Sequence, residues 1–417
     1  MGSLQDFPPL PASQTAVITT AEGRHVVARD RPVPPVGPTS VLVRVRAVAL
    51  NPTDHKTPAR VKTAGLTSGC DFAGEVVAVG AHANDEPGDA AACGGIPRRW
   101  APGDRVFGVV YGSNPGAPGW GAFAEYVEAD PVMLCHVPDD WDWETAASVG
   151  GSVHGSVALC LFGEGKMGLD LGRLKAPRVD STANGTAAPG VGVASDRTGS
   201  SSGSAQLSKQ DLLKVVLVYG GSTACGTMAL QMLRLRAGYI PIATCSPRNA
   251  SLVTAYGAAA TFDYHLETCA DDIKQYTKSA LWFALDCIGT AQSAALCYAA
   301  LGRAGGRYVA LEKYPDSVAA LRKVVKPSWV MGPVMFGREL QLGEGYSQPA
   351  DPSARAFARV WYPLAETLMG SGALKQHPMK VVAPDGREGW AEAVIRGLGD
   401  LRDGNVSAKK LAVTVTA

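Results

Sequence analysis

Apolar residues in this chain fall into short runs that end at Gly, Pro or Asn. Between residues 15 and 135 the runs are strand-like. Thr15–Thr20, Ser40–Leu50 and Asp71–Gly80 alternate or run apolar between Gly/Pro turns. In Val41-Leu-Val-Arg-Val-Arg-Ala-Val48, Arg44 and Arg46 share one face, which predicts a half-exposed strand. Ala101–Gly108 and Gly119–Val127 add turn–strand pairs and complete an antiparallel, barrel-like module. A helical pattern follows over Glu144–Leu161. From Leu212 to about Leu340 the period switches back and forth. Strands at Val215–Tyr219, Tyr239–Thr244, Ala260–Phe262, Trp282–Asp286 and Arg307–Leu311 alternate with helical segments, the pattern of a doubly wound parallel sheet. The tail returns to helix (Ala358–Met369, then Trp390–Arg396) and ends in a strand, Leu411–Val415, expected to close on the first module. The expected class is α/β, with one domain from residues 1–155 and 345–417 and a nucleotide domain from 156–344.

Residues 163–210 break the pattern. Ser, Thr, Gly, Ala and Pro dominate, and no aromatic residue occurs there. So long a stretch without periodicity predicts a disordered surface insertion. Composition narrows the function classes. At 417 residues two domains are expected, and 46% hydrophobic against 18% charged residues allows a large core. A net charge of +1 gives no basic field for nucleic acid. No apolar run approaches the roughly 20 residues of a membrane span, and the first residues lack a leader pattern. A cytoplasmic protein is expected. The nine cysteines are scattered and form no C-x-x-C, so they read as small buried hydrophobes.

The chemistry concentrates in two strings. Val215–Tyr219 runs into Gly220-Gly-Ser-Thr-Ala-Cys-Gly226 and then into a helical pattern from about Thr227 to Arg236. A strand, a Gly-rich turn and a helix seat the pyrophosphate of a dinucleotide on a helix N-terminus. Such turns also occur in α/β folds without that role, and the G-x-G-x-x-G spacing is absent here. The second string, Thr244-Cys-Ser-Pro-Arg-Asn249, decides the matter. No Asp or Glu occurs between Tyr219 and Asp263, where an NAD site places its ribose-binding acid. Ser246, Pro247, Arg248 and Asn249 stand there instead. A hydroxyl, a guanidinium and an amide suit a 2′-phosphate. The expected cofactor is NADPH.

Asn51-Pro-Thr-Asp54, Gly69-Cys-Asp-Phe-Ala-Gly-Glu-Val76, Pro102-Gly-Asp-Arg-Val-Phe107 and Gly121-Ala-Phe-Ala-Glu-Tyr126, with the Gly turn, resemble the medium-chain dehydrogenase/reductase superfamily in its quinone-reductase-like branch. That resemblance implies a GroES-like domain beside a Rossmann domain. The zinc-dependent branch would need a Cys near Asn51 and a His at position 70, and Cys93 stands alone where that branch has a four-cysteine lobe. No metal is therefore expected. Val218-Tyr-Gly-Gly-Ser-Thr-Ala224, Ala229-Leu-Gln-Met-Leu-Arg-Leu235, Gly238-Tyr-Ile-Pro-Ile-Ala-Thr-Cys-Ser-Pro247, Ala284-Leu-Asp-Cys-Ile288 and Gly302-Arg-Ala-Gly-Gly306 look in particular like the fungal trans-acting enoyl reductases. These partner iterative polyketide synthases whose own reductase domain is inactive, and the resemblance implies a monomer.

The resemblance implies roles by position. Lys56 matches a lysine that positions or protonates the thioester end; the alternative is a solvated loop lysine. Leu50, Asn51, Pro52 and Thr53 fall around the nicotinamide ribose, although Asn-Pro with Asp54 as a helix cap is sound local chemistry by itself. Ser222, Thr223, Ala224 and Cys225 line the pyrophosphate. Tyr264 packs beside the adenosine, or is an ordinary strand-end tyrosine. Cys287 and Ile288 meet the cofactor, and Ser407 touches it. Arg307, Tyr308, Val309, Ala310 and Leu311 form a strand end expected at the substrate. In the Ser152-Val153-His154 region, Ser152 supplies a hydroxyl, or His154 is an altered substrate contact, or the helix is merely polar. The implied activity is NADPH-dependent reduction of an enoyl thioester in trans. A stand-alone quinone or alkenal reductase and a non-catalytic NADPH-binding partner protein are the rival readings.

Overall fold

The computed structural model describes residues 9–85, 98–171, 207–235, 239–343 and 345–416. Most of the stretch expected to be a disordered insertion, and Cys93, lie outside the described residues. The first half is built from β1 (Ser13–Thr19), β2 (His25–Pro32), β3 (Val41–Leu50), β4 (Asp71–Val79), β5 (Arg105–Val109), β6 (Tyr126–Ala129) and β7 (Leu134–His136). The second half holds β8 (Val215–Tyr219), β9 (Ile240–Thr244), β10 (Ala260–Phe262), β11 (Phe283–Asp286), β12 (Gly306–Ala310) and β13 (Val325–Trp329). The tail adds β14 (Met379–Val381) and β15 (Lys410–Thr414). Helices of eight residues or more are α1 (Pro52–Val61), α2 (Trp143–Phe162), α3 (Ala224–Leu235), α4 (Cys269–Tyr276), α5 (Ala291–Ala300), α6 (Pro352–Gly370) and α7 (Trp390–Arg402).

Two main sheets result. One runs β14-β15-β3-β4-β5-β7, with β6 also on β3, and is antiparallel apart from the β14–β15 pair. The tail does return: β15 pairs with β3, Leu411 opposite Leu50. Arg44 and Arg46 are half-buried among fully buried neighbours, the face the alternation predicts. The other sheet is wholly parallel, in the order β10-β9-β8-β11-β12-β13. Its strands β8, β9, β11 and β12 are almost continuously apolar, because helices cover both faces.

Between the sheets runs α2, apolar on all sides and largely buried. It is the one described helix long and apolar enough to cross a membrane by length and composition, and it is mostly buried against β3, β4, β5, α3 and α6. The helix is not continuous. Gly150 has φ +46°, and the chain turns sharply there before a second helical stretch begins. A Cβ at Gly150 would sit 2.2 Å from the carboxyl carbon of Asp71, so the kink and the approach of β4 both require glycine.

Candidate active site

In the parallel sheet the chain leaves β8 on one side and returns on the other at β11, so the strand order reverses between them. A ligand crevice opens at the carboxyl ends of strands at such a point. Six of the expected residues meet there. Gly220, at φ +81°, turns the chain out of β8. A Cβ on Gly226 would lie 2.3 Å from the Gly220 carbonyl oxygen, and one on Gly221 would lie 2.6 Å from Ala243, so this cradle admits no side chains. The Thr223 hydroxyl is committed to the turn itself: it donates to Gly220 O (2.8 Å) and accepts from Gly226 N–H (2.9 Å). The half-exposed Ser222, Ala224 and Cys225 follow at the start of α3. The amides of Ala224 and Cys225 have no acceptor within the helix, and such a terminus binds anions. Opposite lie Cys287, half-exposed, and Ile288, 38% exposed, with Ile288 close against Gly220. The buried Asp286 carboxylate fixes them by accepting from the N–H groups of Ile288 and Gly289 (2.9 Å each), the Ser293 hydroxyl (2.7 Å) and the Tyr308 hydroxyl (2.8 Å).

At the end of β9 the second cluster assembles. The hydroxyls of Ser246 and Tyr264 are 3.3 Å apart. Arg248 Nη2 donates to Ser407 Oγ (3.3 Å), and Asn249 Nδ2 lies 3.5 Å from the same oxygen. Ser407, from the loop before β15, thus joins two residues more than 150 positions upstream. Pro247 is exposed beside them. These groups fit a dinucleotide: donors converge on exposed space, and the glycine cradle stands at the same carboxyl end of the sheet, with Gly221 N–H donating to Thr244 O (2.9 Å).

The third part of the site was not foreseen as a unit. Asp71, fully buried at the start of β4, accepts from Asn51 Nδ2 (2.8 Å), Ser152 N–H (2.8 Å), Ser152 Oγ (2.6 Å) and Lys410 Nζ (3.3 Å). Lys410 Nζ also donates to Asn51 Oδ1. The carboxylate thus caps the second half of α2 just after the Gly150 kink, satisfying an amide left open by the break. Beside it, Asp54 accepts from Asn51 N–H (2.7 Å). Burial, with the Asp71 carboxylate nearby, pushes the Asp54 carboxyl up to about 7, partly offset by that N–H.

Thr53, Asp54 and Thr57 of α1, Ser152 and Ser156 of α2, and Leu311 after β12 face a cavity of about 120 Å³, closed mainly by apolar side chains. The Thr53 and Thr57 hydroxyls are 3.2 Å apart. Lys56 lies on the adjacent face of α1, at the rim. Its side chain is 41% exposed, and Nζ is 3.4 Å from Glu312 Oε2, the residue after Leu311. Arg60, one turn on, reaches the other Glu312 oxygen at 3.5 Å. Pro52 is exposed at the start of α1. Among the described residues no group of three or more His, Cys, Asp or Glu side chains is placed to hold a metal ion.

Several expected residues are not brought to the site. Leu50 is 1% exposed and packs in the core of the antiparallel half, against the position of Gly397. Val153 and His154 point into the core on α2. His154 is fully buried, accepts from Trp361 Nε1 at Nδ1 (3.0 Å) and meets Tyr362 edge-on. It sits in the core, while Ser152 lines the cavity. Of the strand run Arg307–Leu311, only Leu311 reaches the cavity. Tyr308, Val309 and Ala310 are core residues, and Arg307 donates to Lys166 O (2.8 Å). A parallel strand delivers only its carboxyl end to the crevice, and at about 3.3 Å per residue Arg307 stands some 13 Å short of it. Asp71 and Lys410 went unassigned. Asp71 carried a signal, an acid opening an otherwise apolar strand; nothing local marks Lys410.

Burial pushes the His154 imidazole down to about 3. Its unfolded form takes a proton below about 6.5, while the folded form does not. Stability is therefore fully present above 6.5 and is lost as pH falls toward 3, by on the order of a few kcal/mol. A His154→Gln variant, which keeps an acceptor for Trp361, should show a flatter decline of Tm between pH 6.5 and 4 than the parent. Its KM should be unchanged; a raised KM would return His154 to the substrate.

Comparison with known proteins agrees with this architecture. Residues 37–139 match the family described as alcohol dehydrogenase GroES-like domain. The chain is 67% identical over 419 residues, all of both chains, to the trans-enoyl reductase ucsL of an Acremonium species. It belongs to the trans-enoyl reductase family. A second member, trans-enoyl reductase ccsC of Aspergillus clavatus, is 37% identical over 97% of each chain. Among solved structures, the CurK enoyl reductase superposes with a TM-score of 0.66 at 15% identity, covering 97% of this chain and all of that one. The quinone oxidoreductase of Coxiella burnetii superposes at 0.59 and 18%, covering 97% and 99%. At these identities the two structures share the fold: a GroES-like domain and a Rossmann domain of the medium-chain dehydrogenase/reductase superfamily, whose oxidoreductases work with a nicotinamide cofactor.

Proposed function

We propose that this protein is an NADPH-dependent, zinc-independent enoyl reductase that acts in trans on a polyketide thioester carried by a partner polyketide synthase. The full-length similarity to trans-enoyl reductases carries this reading. We divide the chain into a catalytic domain of residues 1–155 and 345–417 and an NADPH domain of 156–344. When bound, NADPH supplies the hydride for the β-carbon. Ser246, Arg248, Asn249, Tyr264 and Ser407 hold its 2′-phosphate, and the start of α3 holds the pyrophosphate. The enoyl group enters the cavity beside Ser152 and Leu311.

Charge developing on the thioester oxygen needs a donor. Ser152 gives its proton to Asp71 and has only lone pairs left for the cavity. Lys56 at the rim has protons to offer, and in the Thr53–Thr57 pair one hydroxyl keeps a proton for the cavity. Of these two donors we assign Lys56 to the thioester oxygen, because it matches the lysine that the family resemblance places there. Lys56→Ala should lower kcat about 10- to 100-fold with NADPH affinity unchanged, measured by steady-state kinetics and cofactor titration; an unchanged kcat removes Lys56 from the mechanism. Pro327 in the edge strand β13 leaves that strand without one of its donors, which supports a monomer rather than a dimer joined through this sheet.

The substrate class is tested by following NADPH oxidation with a 2-enoyl pantetheine thioester beside a quinone and a free enal. Preference for the thioester is expected. Turnover of the quinone or enal alone would make the protein a stand-alone reductase, and cofactor binding without any turnover would make it a non-catalytic partner.

A further inference from the structure

The cavity at Ser152 is small. At roughly 30 Å³ for one water in the liquid, its 120 Å³ equals the space of about four waters, enough for the reacting end of an acyl chain and little more. A second cavity, of about 380 Å³, lies directly behind it. The two share Val330 and Met331 as a common wall. The helical turn Gly332–Phe336 separates them: Pro333, Met335 and Phe336 face the first cavity, and Val334 faces the second. Along α2, Ser152 and Ser156 line the first cavity, and Leu159, three residues on, lines the second. Three residues of helix span about 4.5 Å. Together the cavities reach the size typical of ligand sites, roughly 300–1,000 Å³.

The walls of the second cavity differ from those of the first. Trp329 and Phe357 give apolar surface, while Lys166, Asp351, Gln348 and Ser353 bring polar groups. Lys166 Nζ is tied to Trp329 O (2.9 Å), and Ser353 Oγ donates to Asp351 Oδ1 (2.8 Å). The dividing Met331 is unbranched and adaptable, a side chain that yields to a passing chain at little cost.

We infer that the second cavity takes the distal part of a long acyl chain, which threads past Met331 while its enoyl end lies at Ser152. The site accordingly suits an extended, partly oxygenated chain better than a short one. This rests on the enoyl-reductase reading above.

The test compares a crotonyl and a dodecenoyl pantetheine thioester with the intact protein and two variants that fill the second cavity, Ser353→Trp from the exposed rim and Gln348→Trp from the opposite wall. In each variant kcat/KM for the dodecenoyl substrate should fall about tenfold or more, from the loss of several buried methylenes. The crotonyl value should stay within about twofold. Equal losses on both substrates, or no loss on the long one in either variant, would overturn the inference while leaving the enoyl-reductase reading intact. Failure of the unmodified protein to reduce either thioester would contradict that reading first, and this inference with it.

Discussion

Asp71→Ala is expected to cost about 3–5 kcal/mol of stability, the range for removing one partner of a buried ion pair. Four donors converge on this carboxylate from three distant segments: Asn51, Ser152 through both its amide and its hydroxyl, and Lys410. Truncation leaves the Lys410 ammonium, 5% exposed, with Asn51 as its remaining partner. It also uncaps α2 beyond the Gly150 kink, where the chain has no alternative acceptor for the Ser152 amide. The same contacts hold Asn51 and Ser152 at the cavity, so residual folded protein should also turn over slowly. Adding Lys410→Met to Asp71→Ala should recover part of the loss, because the uncompensated charge is gone. Urea unfolding of the single and double variants measures this. Additive losses would show that Asp71 and Lys410 are not coupled.

The second large effect is on cofactor choice. Arg248→Ala should weaken NADPH about 10- to 100-fold, the equivalent of losing a charge-assisted contact, and leave NADH within about twofold. Arg248 is exposed and its recorded partner is Ser407, so the truncation should not disturb the core. Ser407→Ala should act in the same direction but more weakly. Cofactor titrations of both variants with NADPH and NADH decide it. Equal losses for the two cofactors would contradict a 2′-phosphate role for this cluster.

What the sequence made legible follows from how local the physics is. Five strands of the parallel sheet could be read because each is a short apolar run near Gly or Pro; the edge strand Val325–Trp329 was missed because Lys326, Pro327 and Ser328 interrupt its apolar pattern. The Ser246–Asn249 cluster could be read because an acid is missing over a single βαβ unit. Ser407 was expected only to touch the cofactor, by resemblance; that it lies beside Arg248 is seen in the fold. The other parts that escaped depend on contacts between remote segments. Lys410 meets its partners across 339 and 359 residues, and a lysine opening a terminal strand carries no local mark of burial. His154 stood near the right place in the chain but faces the wrong way, since the Gly150 kink rotates the second half of α2. That kink exists because Asp71, from another strand, stands where a Cβ would be. The run Arg307–Leu311 was taken as a unit, although only its final residue reaches the crevice.

The central claim is that the nicotinamide hydride ends on the β-carbon of an enoyl thioester. It is tested most directly with NADPH deuterated at the transferred position and a 2-enoyl pantetheine thioester, the acyl product being analysed by mass spectrometry and NMR. The account predicts a saturated thioester carrying one deuterium at the β-carbon. Unchanged enoyl thioester, with label passing instead to an added quinone, would contradict it.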